Sequence, residues 1–188
     1  MPSLLELALT IGGLGLVLAT MSDAIGTLVA TRGITGRWRA TGHFYRITWR
    51  MWRGVGRRLD AHREGFLSVY APLTLLGLLG LWLTGLVLGW ALVYQGGAGS
   101  LRGDDGFGSI VYYSGTCLLT LGFGDIVPET TPMRLAALAE AATGLGTIAL
   151  AISYLPVLYA AYQRRESQLL TLDDPSGERI QPTALIRI

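Results

Sequence analysis

Thr120-Leu121-Gly122-Phe123-Gly124-Asp125, followed by Ile126-Val127-Pro128, lies late in an apolar chain, between stretches that read as membrane helices. Two glycines separated by one residue let a short extended strand take backbone angles that other residues avoid, so that successive carbonyls can face the same way. Few tasks between membrane helices call for that arrangement.

Working outward from this hexapeptide, three stretches exceed the roughly 20 apolar residues that a spanning helix requires: 1–31, 66–95 and 132–163. A fourth, 106–119, is too short to cross and reads as a half-membrane helix. Asp104 and Asp105 stand at its start as N-cap and dipole partners for the free amides there. The first stretch is long, lacks a basic leading region and shows no clear small-residue cleavage site, so it reads as a retained helix rather than a secretion signal.

The linker 32–65 holds Arg32, Arg37, Arg39, Arg46, Arg50, Arg53, Arg57, Arg58 and Arg63 against only Asp60 and Glu64. Burying it at the bilayer centre costs on the order of 25 kcal/mol, at roughly 3 kcal/mol per Arg, so it stays outside the hydrocarbon. The positive-inside bias then places it in the cytoplasm, with the N-terminus outside, the hexapeptide on the outer side and the C-terminus inside. Arg164 and Arg165, just past the last span, agree with this topology.

Within the linker, Arg46, Arg50, Arg53 and Arg57 recur at helical spacing, while Tyr45, Trp49 and Trp52 line the neighbouring face and Ile47, Met51 and Val55 extend the apolar side. This pattern suits a helix lying in the membrane interface, with rings at headgroup depth and guanidinium groups toward anionic lipid phosphates. A voltage sensor needs a helix that crosses within a bundle of counter-charges, and only one span, 1–31, precedes this linker. A solvated basic loop that only sets orientation is the plainer alternative. A nucleic-acid partner does not fit a membrane-flanked linker.

All fifteen basic residues are Arg and none is Lys, which removes the phosphate-loop, Schiff-base and pyridoxal lysines and, with them, much enzyme chemistry. Cys117 is the single cysteine and the only histidines are His43 and His62, so neither an internal disulfide nor a zinc set can be assembled. Cys117 reads as a small packing residue. Gly144-Leu-Gly146-Thr-Ile-Ala149 matches a dinucleotide fingerprint on paper, yet it lies inside an apolar span with no preceding strand.

From Tyr112 to Pro128 the chain resembles the pore helix and selectivity filter of the potassium-channel superfamily, and the resemblance runs from about Phe66 to Tyr162. It implies an all-α membrane protein: a pore module of outer helix 66–95, pore helix 106–119, filter 120–125 and inner helix 132–163, with an extra N-terminal helix 1–31, the linker 32–65 and a tail 164–188. Carried over, the carbonyls of Thr120, Leu121, Gly122 and Phe123 and the Thr120 hydroxyl replace the water around K+. Leu121 and Phe123 then point away from the axis, Gly124 completes the strand, and Asp125 braces the filter at the outer mouth. Tyr112 and Tyr113 match the aromatic pair that forms a cuff around the filter. Gly144 falls where the family's inner helix often hinges, Gly146 offers a second flexible point, and Pro156 removes one backbone bond near the inner mouth. Leu121 and Phe123 replace the commoner Val and Tyr. Because one strand of carbonyls covers one side of an ion, four chains are expected, as a closed homotetramer in the plasma membrane.

Two ionisable residues inside spans call for partners: Glu140, expected behind the filter and bonded to Thr116 or a neighbouring helix, and Asp23, expected to pair with a linker Arg. Arg134 has Asp125, Glu129 or the interface as candidate partners. Gly85 and Gly89 either let helices approach closely or reflect the frequency of Gly in membrane helices. The expected function is passive K+ conduction, with no enzymatic activity. A non-selective cation channel and a non-conducting membrane scaffold are the alternatives.

Overall fold

A computed structural model describes residues 3–28, 40–56, 70–97, 101–103 and 106–172. The chain divides into two compact units, 1–152 and 153–188. The first holds α1 (Leu4–Leu28), α2 (Ala40–Gly56), α3 (Tyr70–Gly96), β1 (Leu101–Arg102), α4 (Phe107–Leu118), β2 (Val127–Pro128) and the first part of α5 (Thr131–Leu172). The second begins with the remainder of α5, in which Pro156 lies within helix.

Three helical stretches are long and apolar enough to cross a membrane: Leu4–Leu28, Leu73–Gly96 and Thr131–Tyr154. The chain is a multi-pass membrane protein. Helix α1 opens on a reciprocal capping box: the Ser3 amide donates to the Glu6 carboxylate at 2.8 Å and the Glu6 amide to the Ser3 hydroxyl at 3.2 Å. Its outer side, with Leu4, Ile11 and Leu18, is exposed, while Val17, Asp23 and Ala24 are buried against the rest of the unit.

Helices α1 and α3 approach so closely that side chains larger than hydrogen do not fit along their seam. A Cβ built on Gly13 would stand 2.5 Å from the Gly89 carbonyl oxygen, one on Gly89 would stand 2.8 Å from Val17 Cγ2, and one on Gly85 would stand 2.9 Å from Thr20 Oγ1. Of the two sequence readings of Gly85 and Gly89, close approach is the one the packing supports. Gly13 is their counterpart on α1. Without a hydrophobic drive between helices in lipid, such backbone proximity is what makes van der Waals packing count.

Helix α2 packs against the Tyr70 end of α3. Tyr70 meets Trp49 edge-on at 5.0 Å between ring centroids and Trp52 at 5.8 Å, and its hydroxyl is 3.1 Å from Thr48 Oγ1. A Cβ on Gly77 would lie 2.7 Å from Phe44 Cζ. The Asp23 carboxylate on α1 joins the three helices: it accepts from the Thr41 amide at 3.2 Å, from the Thr41 hydroxyl, and from Trp82 Nε1 at 3.1 Å. The Thr41 amide belongs to the first turn of α2, where no helical carbonyl serves it, so the carboxylate acts as a tertiary cap. Most of the linker Arg residues expected to pair with Asp23 lie outside the described residues; among the described ones, Thr41 and Trp82 are bonded to its carboxylate. Arg57, placed by the sequence on the same helical face as Arg46, lies outside the described residues.

Helix α4 is an amphipathic half-helix. Ile110, Tyr113, Ser114 and Leu118 recur on one face and are buried against α3, with Leu86, Trp90 and Tyr94 in the same core. Its N-cap residue is Gly106, in an extended conformation, and Asp104 and Asp105, expected to serve this helix start, lie outside the described residues. Beyond α3, Leu101 pairs with Pro128 and Arg102 with Val127 in a short antiparallel ribbon. Gly103 turns the chain there at a φ of +136°. That ribbon ties the segment entering α4 to the segment leaving the hexapeptide.

Candidate functional site

Helix α4 stops because Thr120 turns left-handed, at a φ of +57°. Around it the hydrogen bonds form a Schellman ending: the Thr120 amide donates to the Cys117 carbonyl at 3.0 Å and the Leu121 amide to the Thr116 carbonyl at 2.8 Å. Glycine usually occupies the left-handed position of this motif, and a Cβ there costs about 1–2 kcal/mol. The hexapeptide therefore begins at a strained, hydrogen-bonded helix end.

The left-handed angle then recurs at every second residue. Gly122 has φ +53° and Gly124 φ +81°, while Leu121 and Phe123 have negative φ. Alternating hands along a chain collect N–H groups on one side and carbonyls on the other. The N–H side faces the helix: the Gly122 amide reaches the Thr116 carbonyl at 3.3 Å, beside that of Leu121. None of the hydrogen bonds formed among the described residues ends on a carbonyl from Thr120 to Gly124. The segment is exposed along its whole length in the single chain.

Thr116 enters the site through its backbone. Its hydroxyl is turned back to the Tyr113 carbonyl at 2.8 Å, so the expected bond to Glu140 is absent and its carbonyl holds the hexapeptide instead. The Phe123 ring stacks on Tyr112, 6.4 Å between centroids and 7° from parallel. Tyr113 is buried and meets Tyr94 edge-on at 5.1 Å. Arg134 donates from Nε to the Pro128 carbonyl at 3.2 Å, which corrects the expectation of an acidic partner.

Behind α4 lies Glu140, fully buried on α5. Tyr94 of α3 donates to its Oε2 at 2.6 Å, and Ser114 of α4 bonds to its Oε1. Ser114 Oγ is also 2.9 Å from the Val87 carbonyl. One turn further along α5, Trp90 Nε1 donates to Thr143 Oγ1 at 3.3 Å. The carboxylate thus joins α3, α4 and α5 at one point.

Neither Tyr94 nor Ser114 was singled out from the sequence. A signal existed: Trp82, Trp90 and Tyr94 are polar-tipped aromatics at helical spacing within an apolar span, and such tips need partners when buried. Gly144, expected as a hinge, is the point where α5 meets the end of α4: a Cβ there would overlap the Leu118 carbonyl oxygen and lie 2.9 Å from Leu118 Cγ. Gly146 has nothing within 4 Å of a built Cβ. Both sit within continuous helix.

Residues 77–159 match the family described as ion channel. A 121-residue stretch, 61% of the chain, is 32% identical to YdjJ, an uncharacterized membrane protein of Bacillus subtilis (strain 168), and covers 35% of it. The chain thus spans about a third of that relative's length. No solved structure matches. Two membrane-length helices flank a half-helix and a loop of alternating hand within the segment that matches the ion-channel family; that match supports the resemblance to the potassium-channel superfamily, with a pore module joined to an additional N-terminal helix.

Proposed function

We propose that the chain forms a homotetrameric potassium channel, in which the carbonyls of Thr120, Leu121, Gly122 and Phe123 and the Thr120 hydroxyl take the place of water around permeant K+. The observation that carries this reading is the alternation of backbone hand at residues 120, 122 and 124, with the N–H side tied to Thr116 and the carbonyls without a hydrogen-bond donor among the described residues. A strand with its oxygens unclaimed is suited to a cation that has shed its hydration. One such strand serves one side of an ion, so four copies complete the ring. Leu121 and Phe123 are 56% and 66% exposed on the single chain, an apolar exposure that neighbouring copies in a tetramer would relieve.

Asp125 is assigned to the outer mouth, where its charge raises the local cation concentration. The Arg-rich linker sets the orientation in the plasma membrane, N-terminus outside and C-terminus in the cytoplasm.

Flux into liposomes with either K+ or Na+ as the only permeant ion tests the proposal. Wild type passes K+ in preference to Na+. Equal rates for the two ions select a non-selective cation channel, and no flux for either selects a non-conducting role.

A further inference from the structure

Arg46, Arg50 and Arg53 project from α2 beside Tyr45 and Trp49, and with Tyr70 of α3 they line an open groove of about 390 Å³. Helix α2 holds no acidic residue, so this face is uniformly positive. The groove also has a fixed depth. Tyr70 precedes the membrane-length stretch, which starts at Leu73, by three residues, or roughly 4.5 Å along a helix. On the flank of α2 next to the Arg face, Ile47 and Met51 are 58% and 68% exposed. Cationic forks, aromatic walls and an adjoining apolar strip, all at the edge of the hydrocarbon, match three parts of one molecule: a phosphate, a glycerol backbone and an acyl chain.

We infer that this groove is a binding site for the headgroup of an anionic phospholipid, and that its occupancy holds α2 against α3 and supports conduction. The coupling follows from who lines it. Tyr70 is the first residue of α3, and its ring is already clasped by Trp49 and Trp52 while its hydroxyl meets Thr48. A phosphate held by Arg46, Arg50 and Arg53 beside that ring bridges the interfacial helix to the pore's outer helix. From there the contact passes to the three-helix junction at Asp23, Thr41 and Trp82. The binding half stands by itself; the conduction half rests on the channel reading.

Native mass spectrometry of the full chain, purified in detergent with added phosphatidylglycerol or phosphatidylcholine, tests the binding half. Phosphatidylglycerol adducts are expected to persist in preference, to weaken roughly fivefold for each of Arg46→Gln, Arg50→Gln and Arg53→Gln, and to be unaffected by Arg102→Gln on β1. Equal retention of the two lipids, or a triple variant that behaves as wild type, overturns the site. Displacement of the lipid by inorganic phosphate alone overturns it too, because the groove would then be an anion site without lipid specificity.

Potassium flux in phosphatidylcholine vesicles with and without one-quarter phosphatidylglycerol tests the coupling. Wild type is expected to conduct several-fold faster with the anionic lipid and the triple variant equally in both. Lipid-independent flux in wild type overturns the coupling. Absence of flux in every vesicle, with selective adducts retained, counts against the channel reading and leaves the binding site standing.

Discussion

Tyr94 on α3 donates its phenolic proton to Glu140 on α5 at 2.6 Å, inside a site that neither side chain shares with solvent. Through Ser114 the same carboxylate reaches α4, two residues before the Thr116 carbonyl that holds Leu121 and Gly122. A polar contact in the membrane interior is thus two steps from the hexapeptide.

Tyr94→Phe removes the donor and leaves a buried carboxylate oxygen short of a partner, a loss of about 1–3 kcal/mol. At position 140 the two obvious replacements are expected to differ. The single Ser114 proton faces two acceptors, Val87 O and Glu140 Oε1. A glutamine amide accepts from Tyr94 and supplies a donor to Ser114, so in the proposed tetrameric channel Glu140→Gln should retain assembly stability and K+ preference. Glu140→Ala leaves the Tyr94 hydroxyl without an acceptor, Ser114 with Val87 O alone and a void between the three helices, and should lower both. Thermal dissociation on gels together with paired K+ and Na+ flux measures this, and indistinguishable Gln and Ala variants would remove the bracing role.

Gly144 and Gly146 make opposite predictions. Gly144→Ala drives a methyl into the Leu118 backbone and is expected to cost about 1–3 kcal/mol or to displace α5 from α4. Gly146→Ala meets open space and should stabilise the helix by about 0.5–1 kcal/mol through reduced backbone entropy. If Gly146→Ala proved the more damaging in thermal unfolding of the assembled channel, packing at Leu118 would not be the reason for a glycine at 144.

Gly122→Ala has room for its methyl yet must hold it at a φ of +53°, a strain of about 1–2 kcal/mol. Folding and assembly should survive while K+ flux falls to background. Persistent flux with unchanged selectivity would show that the left-handed angle at 122 is dispensable.

Asp23→Asn keeps the shape of the junction and removes the charge that serves the Thr41 amide and Trp82 Nε1. The expected cost is about 1–2 kcal/mol, localised to α2, whose detachment should raise hydrogen exchange in residues 40–56 while leaving α4 protected. Uniform exchange across both helices would place the effect elsewhere.

Hydropathy and length alone were enough to mark three membrane-length helices, because a run of some twenty apolar residues has few other uses. The spacing of Gly122 and Gly124 announced an unusual backbone for the same reason: it is a local property, written in the residues that adopt it. Thr120 was harder to read, since a left-handed threonine is imposed by the helix ending around it rather than chosen by its own side chain.

What the one-dimensional order could not contain was which faces meet. Glu140 visibly needed a partner, yet whether Thr116 or Ser114 faced it depended on the rotation of α4 against α5. Asp23 visibly needed partners too, and only the packing of α1 on α3 and α2 brought Trp82 and Thr41 to it. Gly13, Gly85 and Gly89 acquire a purpose only as a set drawn from two helices. Chain order determined the helices and the loop between them, because those follow from local composition. The tertiary structure decided the partners of the buried polar groups, because in lipid those depend on side chains brought together from distant parts of the chain.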